Sequence, residues 1–231
     1  MCKVKTRGLS WHVLAVVLVA VGLATSPQAQ VAPSPNEIAR YKGLHQAAHQ
    51  GDLERLKTLL KADPDLEKRD TRARTAVHIA AYASHEDIIR ALASAGANVN
   101  AFEYQAYDIV TIAAVANDLQ MLDAALEVGT NPGNITSPYD GTALIAAAHL
   151  GHNEVVERLI SAGAPLDHIN NLDWTAMIEV VVLGNGGENH IKSLMALLDA
   201  GANKDIADNQ GVTPLEHARQ RGFSEMVALL K

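Results

Sequence analysis

Thr75-Ala76-Val77-His78-Ile79-Ala80-Ala81 opens the stretch that decides the fold, and Ser84-His85, Ile88-Ile89, Leu92 and Gly96-Ala97-Asn98-Val99-Asn100 complete it. A threonine hydroxyl can take up a free amide at a helix start, so Thr75 suits a cap. Ala80 and Ala81 are small enough to let a second helix approach closely. Residues 84 and 85 interrupt the helix for a tight antiparallel turn. Ile88, Ile89 and Leu92 make one apolar stripe on a second short helix. Gly96 supplies the left-handed conformation that ends it. The unit reads helix, turn, helix, projecting loop. Its closing tripeptide recurs at Gly96-Ala97-Asn98, Gly129-Thr130-Asn131, Gly163-Ala164-Pro165 and Gly201-Ala202-Asn203, with glycines 33, 34 and 38 residues apart. A near-constant period of this length marks a solenoid. Each unit then packs mainly on its neighbours, which yields a long surface rather than a central pocket and points to recognition rather than chemistry.

Six units align on this pattern. The first carries Leu44-His45-Gln46-Ala47-Ala48, Gly51-Asp52 and Leu59-Leu60, and the third, the most divergent, Asp108-Ile109-Val110-Thr111-Ile112-Ala113-Ala114. The fourth has Gly141-Thr142-Ala143-Leu144, Gly151-His152 and Val155-Val156; the fifth, Trp174-Thr175-Ala176-Met177 and Leu197-Leu198; the sixth, Thr213-Pro214-Leu215, Gly222 and Leu229-Leu230. The pattern resembles the ankyrin repeat, with its Thr-Pro-Leu-His-x-Ala, Gly-His and Gly-Ala-x-x-Asn segments. The tetratricopeptide repeat has similar length but needs a Trp-Leu-Gly-Tyr pattern that is absent. The resemblance implies an all-α ankyrin-repeat solenoid with projecting loops or β-hairpins. Its units would span about 40–70, 71–103, 104–136, 137–169, 170–207 and 208–231. The long interval between Gly163 and Gly201 places an insertion between the helices of the fifth unit, at Asn185, Gly186, Gly187 and Glu188. The last unit stops at Lys231 within its second helix, so that end is expected to be the weakest.

The first 29 residues read differently. Lys3, Lys5 and Arg7 precede an apolar run from Val13 to Ala24 and a small-residue segment, which is the order of a secretory signal peptide. The run is shorter than the ~20 residues of a membrane-spanning helix. Residues 30–39 form a Pro-rich segment expected to be an extended spacer. Cys2 leaves with the signal, so the mature chain lacks cysteine and must be held by packing alone. Losing Lys3, Lys5 and Arg7 leaves 16 basic residues against 26 acidic ones, a net charge near −10. Nucleic acid and anionic membranes are poor partners for such a surface; a neutral or basic protein is easier to accommodate.

By the resemblance, His45 and His78 bond neighbouring backbone and His85 and His152 sit in the turn; His149, His168 and His190 are expected at the surface. His45 and His49, four apart on one helix face, have a zinc-chelating spacing but no evident third ligand. Gly184-Asn185-Gly186-Gly187 lacks the strand and Lys-Ser/Thr of a phosphate loop. No Gly-x-Ser-x-Gly elbow occurs. No cofactor or metal is implied. The aromatic residues are more informative. Tyr41, Tyr82, Phe102, Tyr104, Tyr107, Tyr139 and Trp174 fall on loops or on the exposed edge of first helices, where the resemblance places partner contacts, and such side chains anchor interfaces. The densest group is Tyr82, Phe102, Tyr104 and Tyr107 with Arg72 and Arg74.

These readings describe a monomeric, non-catalytic protein-binding module in a bacterial periplasm, acting as a scaffold or protective partner for another exported protein. A secreted effector that binds a host protein is the alternative, and a metal-dependent enzyme using the region of Gly186 and His190 is the third.

Overall fold

Most inner helices of this chain start where a side chain takes up a free amide. The computed structural model describes residues 30–231; the expected signal peptide, 1–29, lies outside them. Thirteen helices occur among the described residues. The first, α1 (Pro35–Ile38), is a single turn. The others form six helix–turn–helix pairs: α2 (Gly43–Gln50) with α3 (Leu53–Leu60), α4 (Ala76–Tyr82) with α5 (Glu86–Ser94), α6 (Ile109–Ala116) with α7 (Leu119–Glu127), α8 (Ala143–Leu150) with α9 (Asn153–Ser161), α10 (Ala176–Val182) with α11 (Glu188–Asp199), and α12 (Pro214–Arg221) with α13 (Ser224–Leu230). This is the all-α solenoid the repeat predicts. No described helix is long and apolar enough to cross a membrane.

The hydroxyls of Thr142, Thr175 and Thr213 accept the amides of Ile145, Ile178 and Glu216. Asp108 does the same for Thr111 at 2.8 Å, so the divergent third unit keeps its helix start with a carboxylate. In the second unit the Thr75 amide donates to His78 Nδ1 at 3.2 Å, and the Thr75 hydroxyl lies 2.9 Å from the same nitrogen. Nε2 therefore carries the proton and donates to the Ala101 carbonyl at 3.0 Å. His45 Nε2 lies 3.2 Å from the Arg74 carbonyl in the unit that follows.

Successive inner helices stack through small residues. Ala47, Ala48, Ala80, Ala81, Ala113, Ala114, Ala147 and Ala148 are all buried. The outer helices contribute Leu56, Ile88, Ile89, Leu92, Met121, Leu122, Val155, Val156 and Leu194 to one apolar cluster that runs from Tyr41 to Leu230. Each fully buried aliphatic side chain of this kind stabilises by about 1.5–3 kcal/mol, and in a solenoid that gain is shared only between neighbouring units.

The turns between paired helices form a second ladder. A ring from one unit packs on the turn of the unit before: His85 Nε2 meets the His49 carbonyl at 3.2 Å, and His152 Nδ1 the Ala114 carbonyl at 2.9 Å. His190, expected at the surface, is buried, and its Nε2 reaches the His149 carbonyl at 3.1 Å. The extra residues of the fifth unit lengthen α11 to 12 residues and carry His190 into the turn position. In the sixth unit Phe223 fills that place; a Cβ on Gly186 would fall 2.6 Å from its ring.

Two expectations about segments are corrected. Residues 30–34 are irregular, but Pro35–Ile38 is helical, started by Ser34 and Glu37 in a reciprocal cap. Glu188 is not part of the insertion loop, because it is the first residue of α11. The remaining loop is docked: Arg221 Nη2 donates to the Gly184 carbonyl at 2.9 Å while its guanidinium lies over Phe223 at 4.8 Å.

Candidate functional site

Between units the chain makes a tight hairpin, and four of the five hairpins are built by one device. Asp70, Glu103, Asn170 and Asp208 each begin a hairpin, and each side chain accepts the amides two and four residues on. The residue three on is left-handed: Ala73 at φ 56°, Ala106 at 61°, Asp173 at 61° and Gly211 at 77°. The fourth-unit hairpin is one residue longer, runs from Thr136 to Gly141, and uses Ser137 Oγ for the Tyr139 amide. Neighbouring hairpins bond edge to edge: the Tyr104 amide to the Arg72 carbonyl at 2.9 Å, Ser137 to Ala106 at 3.3 Å, and Asn171 to Tyr139 at 2.9 Å. The tips thus form a continuous, backbone-tied edge.

Apolar side chains stand out along it. Tyr104 is 76% exposed, Phe102 39%, Ile135 54%, Ile169 47% and Leu172 41%. Phe102, Ile135 and Ile169 immediately precede successive hairpins, in the register held by Arg69 one unit earlier. The aliphatic members of this row were missed because only aromatic residues were sought. Their signal is an apolar residue recurring in the polar, turn-rich segment at the period of the repeat.

The expected contact group is divided by burial. Phe102 and Tyr104 are open, and Arg72 is half-buried with Nε 3.4 Å from Glu37 Oε1. Tyr82, Tyr139 and Trp174 are half-buried. Arg74, Tyr107 and Tyr41 are buried, which corrects their placement on an exposed edge. Arg74 is turned inward by Asp70 Oδ2 at 2.8 Å and Glu37 Oε1 at 2.5 Å. The Tyr41 hydroxyl donates to Asp70 Oδ2 at 2.8 Å, and its ring stacks on His45 at 5.7 Å. In the insertion, Asn185 and Gly187 are exposed, and Asn185 Oδ1 accepts the Gly187 amide at 2.8 Å.

Electrostatics separates hairpin carboxylates of the same role. Burial opposes ionisation of Asp70, but the amides of Arg74 and Arg72, the Tyr41 hydroxyl and the Arg74 guanidinium outweigh it, and its pKa lies below the ordinary aspartate value. Glu103 is buried with amide donors and more distant arginines, and burial prevails, raising its pKa. Burial and then the Glu103 carboxylate also raise the pKa of Tyr107, and likewise that of Tyr82, whose hydroxyl has no hydrogen-bond partner.

His45 and His49 do not form a chelate pair, because the His45 ring is committed to Arg74 and Tyr41. No group of three or more potential metal ligands comes together among the described residues. Glu179, buried on α10, accepts from Asn170 Nδ2 at 3.0 Å and lies 3.2 Å from His149 Nδ1.

Comparison with known proteins agrees with this geometry. A family model for ankyrin repeats (three copies) matches residues 44–132 and 110–196. The Escherichia coli K12 ankyrin repeat protein YahD is 31% identical over 185 residues, covering 80% of this chain and 92% of YahD. An Acinetobacter baumannii AYE ankyrin repeat domain is 40% identical with a TM-score of 0.77, covering 81% of this chain and 95% of that one. The ankyrin repeat domain of Bcl-3 is 26% identical with a TM-score of 0.73, covering 83% and 85%. Several other relatives are much longer, such as the Dirofilaria immitis L-asparaginase, of which the aligned part is 30%. Period, caps, hairpins and relatives converge: this chain belongs to the ankyrin repeat family, whose repeats are protein–protein interaction modules.

Proposed function

We propose that the hairpin edge of the second to fifth units binds another exported protein, and that this chain serves that protein as a scaffold or protective partner in the periplasm. The observation that carries the reading is the row Phe102, Tyr104, Ile135, Ile169 and Leu172, exposed on a backbone-tied edge while the stacking core is closed. Exposed apolar side chains gathered on one rigid edge are suited to a protein contact. No group of three or more potential metal ligands among the described residues competes with that reading. The signal-like order of residues 1–29 supports export.

Capture from the native compartment tests it. The tagged chain is expected to retain a stoichiometric protein partner that is lost with Phe102→Ala plus Tyr104→Ala at unchanged thermal stability. Recovery of the same partner by the double variant would refute the edge. Fractionation is expected to find the chain in the periplasm; a pool in the medium or in a host cell would favour the effector reading.

A further inference from the structure

The charge of this chain is segregated along the solenoid. Residues 30–75 carry nine basic and seven acidic side chains, whereas residues 76–231 carry seven basic and nineteen acidic ones. The overall negative charge therefore belongs to the later units, and the first unit with the hairpin that follows it is basic. Within this segment Arg72 and Arg74 are engaged with Glu37 and Asp70. Arg40, Lys42 and Lys68 are exposed, and none forms an ion pair among the described residues. Arg69 Nη1 donates to the carbonyls of Ala73 and Phe102, both at 2.7 Å, and forms no ion pair among the described residues.

These four cations share one surface. A cavity of about 420 Å³ is lined by Arg40, Lys42, Lys68 and Arg69 together with Tyr41 and two carboxylates, Glu37 and Asp70, which Arg72 and Arg74 already engage. A second, of about 370 Å³, shares Lys42, His45 and Lys68 with it and adds the apolar wall of Leu44, Leu59 and Leu66. Together they make a groove with an aliphatic side and a rim on which these four cations outnumber the one exposed carboxylate, Asp65. Arg69 joins the groove to the hairpin edge, since the carbonyl it holds is that of Phe102.

We propose that this groove receives an acidic polypeptide segment of the partner, its carboxylates meeting Arg40, Lys42, Lys68 and Arg69 while adjoining apolar side chains reach Phe102 and Tyr104. The proposal rests on the hairpin edge being the protein-binding surface and adds the chemistry of what binds there. Exposed cations contribute modestly one by one, but grouped on one groove they steer and orient an oppositely charged segment. A short acidic segment keeps its negative charge within the groove. A nucleic-acid backbone or an anionic bilayer extends further and would set phosphates against the nineteen acidic side chains of the later units.

The test uses the full chain and a fluorescent oligoglutamate peptide followed by anisotropy, with oligolysine, single-stranded DNA and phosphatidylserine vesicles alongside. Oligoglutamate is expected to bind in a salt-sensitive manner. Lys42→Glu plus Lys68→Glu should weaken it about tenfold, while Lys231→Glu should leave it unchanged. Lys42 and Lys68 make no ion pair, so the melting transition should not move; if it does, Lys42→Gln plus Lys68→Gln replaces the pair, with a smaller weakening expected. Equal binding by the groove variants, equal retention of oligolysine, or tighter retention of DNA or vesicles overturns the proposal. Capture of the native partner separates the two readings. A partner lost with Phe102→Ala plus Tyr104→Ala but kept by the groove variants leaves the edge standing and removes the acidic segment.

Discussion

Arg74 Nη2 lies 2.5 Å from Glu37 Oε1, joining the first helical turn to a hairpin 37 residues later. Arg74 is fully buried, and its Nε also meets Asp70 Oδ2 at 2.8 Å. Asp70 in turn organises the amides of its own hairpin. One guanidinium thus ties α1, the second-unit hairpin and, through Tyr41, the start of the first unit.

Removing that guanidinium leaves two carboxylates in one partly buried site. Arg74→Met is expected to cost about 3–5 kcal/mol, as for other buried pairs broken on one side. Urea unfolding monitored by circular dichroism measures it. A loss below about 1 kcal/mol would show that solvent replaces the bridge. Glu37 and Asp70 both titrate below their ordinary values. Their contribution is therefore present above the ordinary carboxylate range and lost as pH falls through the depressed values.

His78 acts in a higher pH window. Burial pushes its pKa down from 6.5 to about 4, against the opposing pull of the Ala101 carbonyl. Between those values the unfolded chain binds a proton that the folded chain excludes. Stability is full above pH 6.5 and falls by on the order of 3 kcal/mol as pH drops to about 4. His45 is shifted in the same direction, burial first. Urea midpoints across this window should fall steeply in the parent chain and less steeply in His78→Gln; parallel curves would assign the pH dependence to other groups.

Ala73 and Ala106 hold left-handed backbone at φ 56° and 61° where the sixth unit has Gly211. An L-residue in that region costs roughly 1–2 kcal/mol, and glycine gives back part of that through unfolded-chain entropy. Ala73→Gly and Ala106→Gly are each expected to stabilise by about 0.5–1 kcal/mol. Thermal melts decide; a decrease in both would mean that the alanine methyls carry packing of their own.

Gly151 and Gly163 both have positive φ, 69° and 85°, but different surroundings. A Cβ on Gly151 would fall 2.7 Å from His190 Cε1, whereas nothing lies within 4 Å at Gly163. Gly163→Ala should cost about 1 kcal/mol for backbone alone. Gly151→Ala should cost about 2–4 kcal/mol, because it also dislodges the His190 ring from the His149 carbonyl. Equal losses in denaturant titrations would rule out the ring-on-turn ladder as a stabilising contact.

Much of the scaffold was legible because each unit repeats its physical solution in recognisable residues. Thr75, Thr142, Thr175 and Thr213 start helices wherever they recur, and the glycines at the period end them. The hairpin device was present too, but it was not legible because Asp70, Glu103, Asn170 and Asp208 differ in residue type while each offers a side-chain oxygen acceptor. The exposure of Phe102 and Tyr104 was readable from their place in a polar, turn-rich segment, whereas Tyr107 in the same segment is buried. Arg74 was not, because an arginine two residues from the exposed-edge candidate Arg72 gives no local sign that two carboxylates wait behind it.

By itself the sequence determined the unit, its period, the six-fold stacking and the family, since capping, helix periodicity and turn chemistry act within a few residues of chain. Only the tertiary structure decided which charged and aromatic residues face solvent. It drew Glu37 out of an expected spacer to meet Arg74, carried His190 into the turn ladder, and gathered Arg40, Lys42, Lys68 and Arg69 around one groove. Those pairings join residues about one repeat apart. Burial and charge compensation there depend on what the neighbouring unit presents, which no single unit specifies.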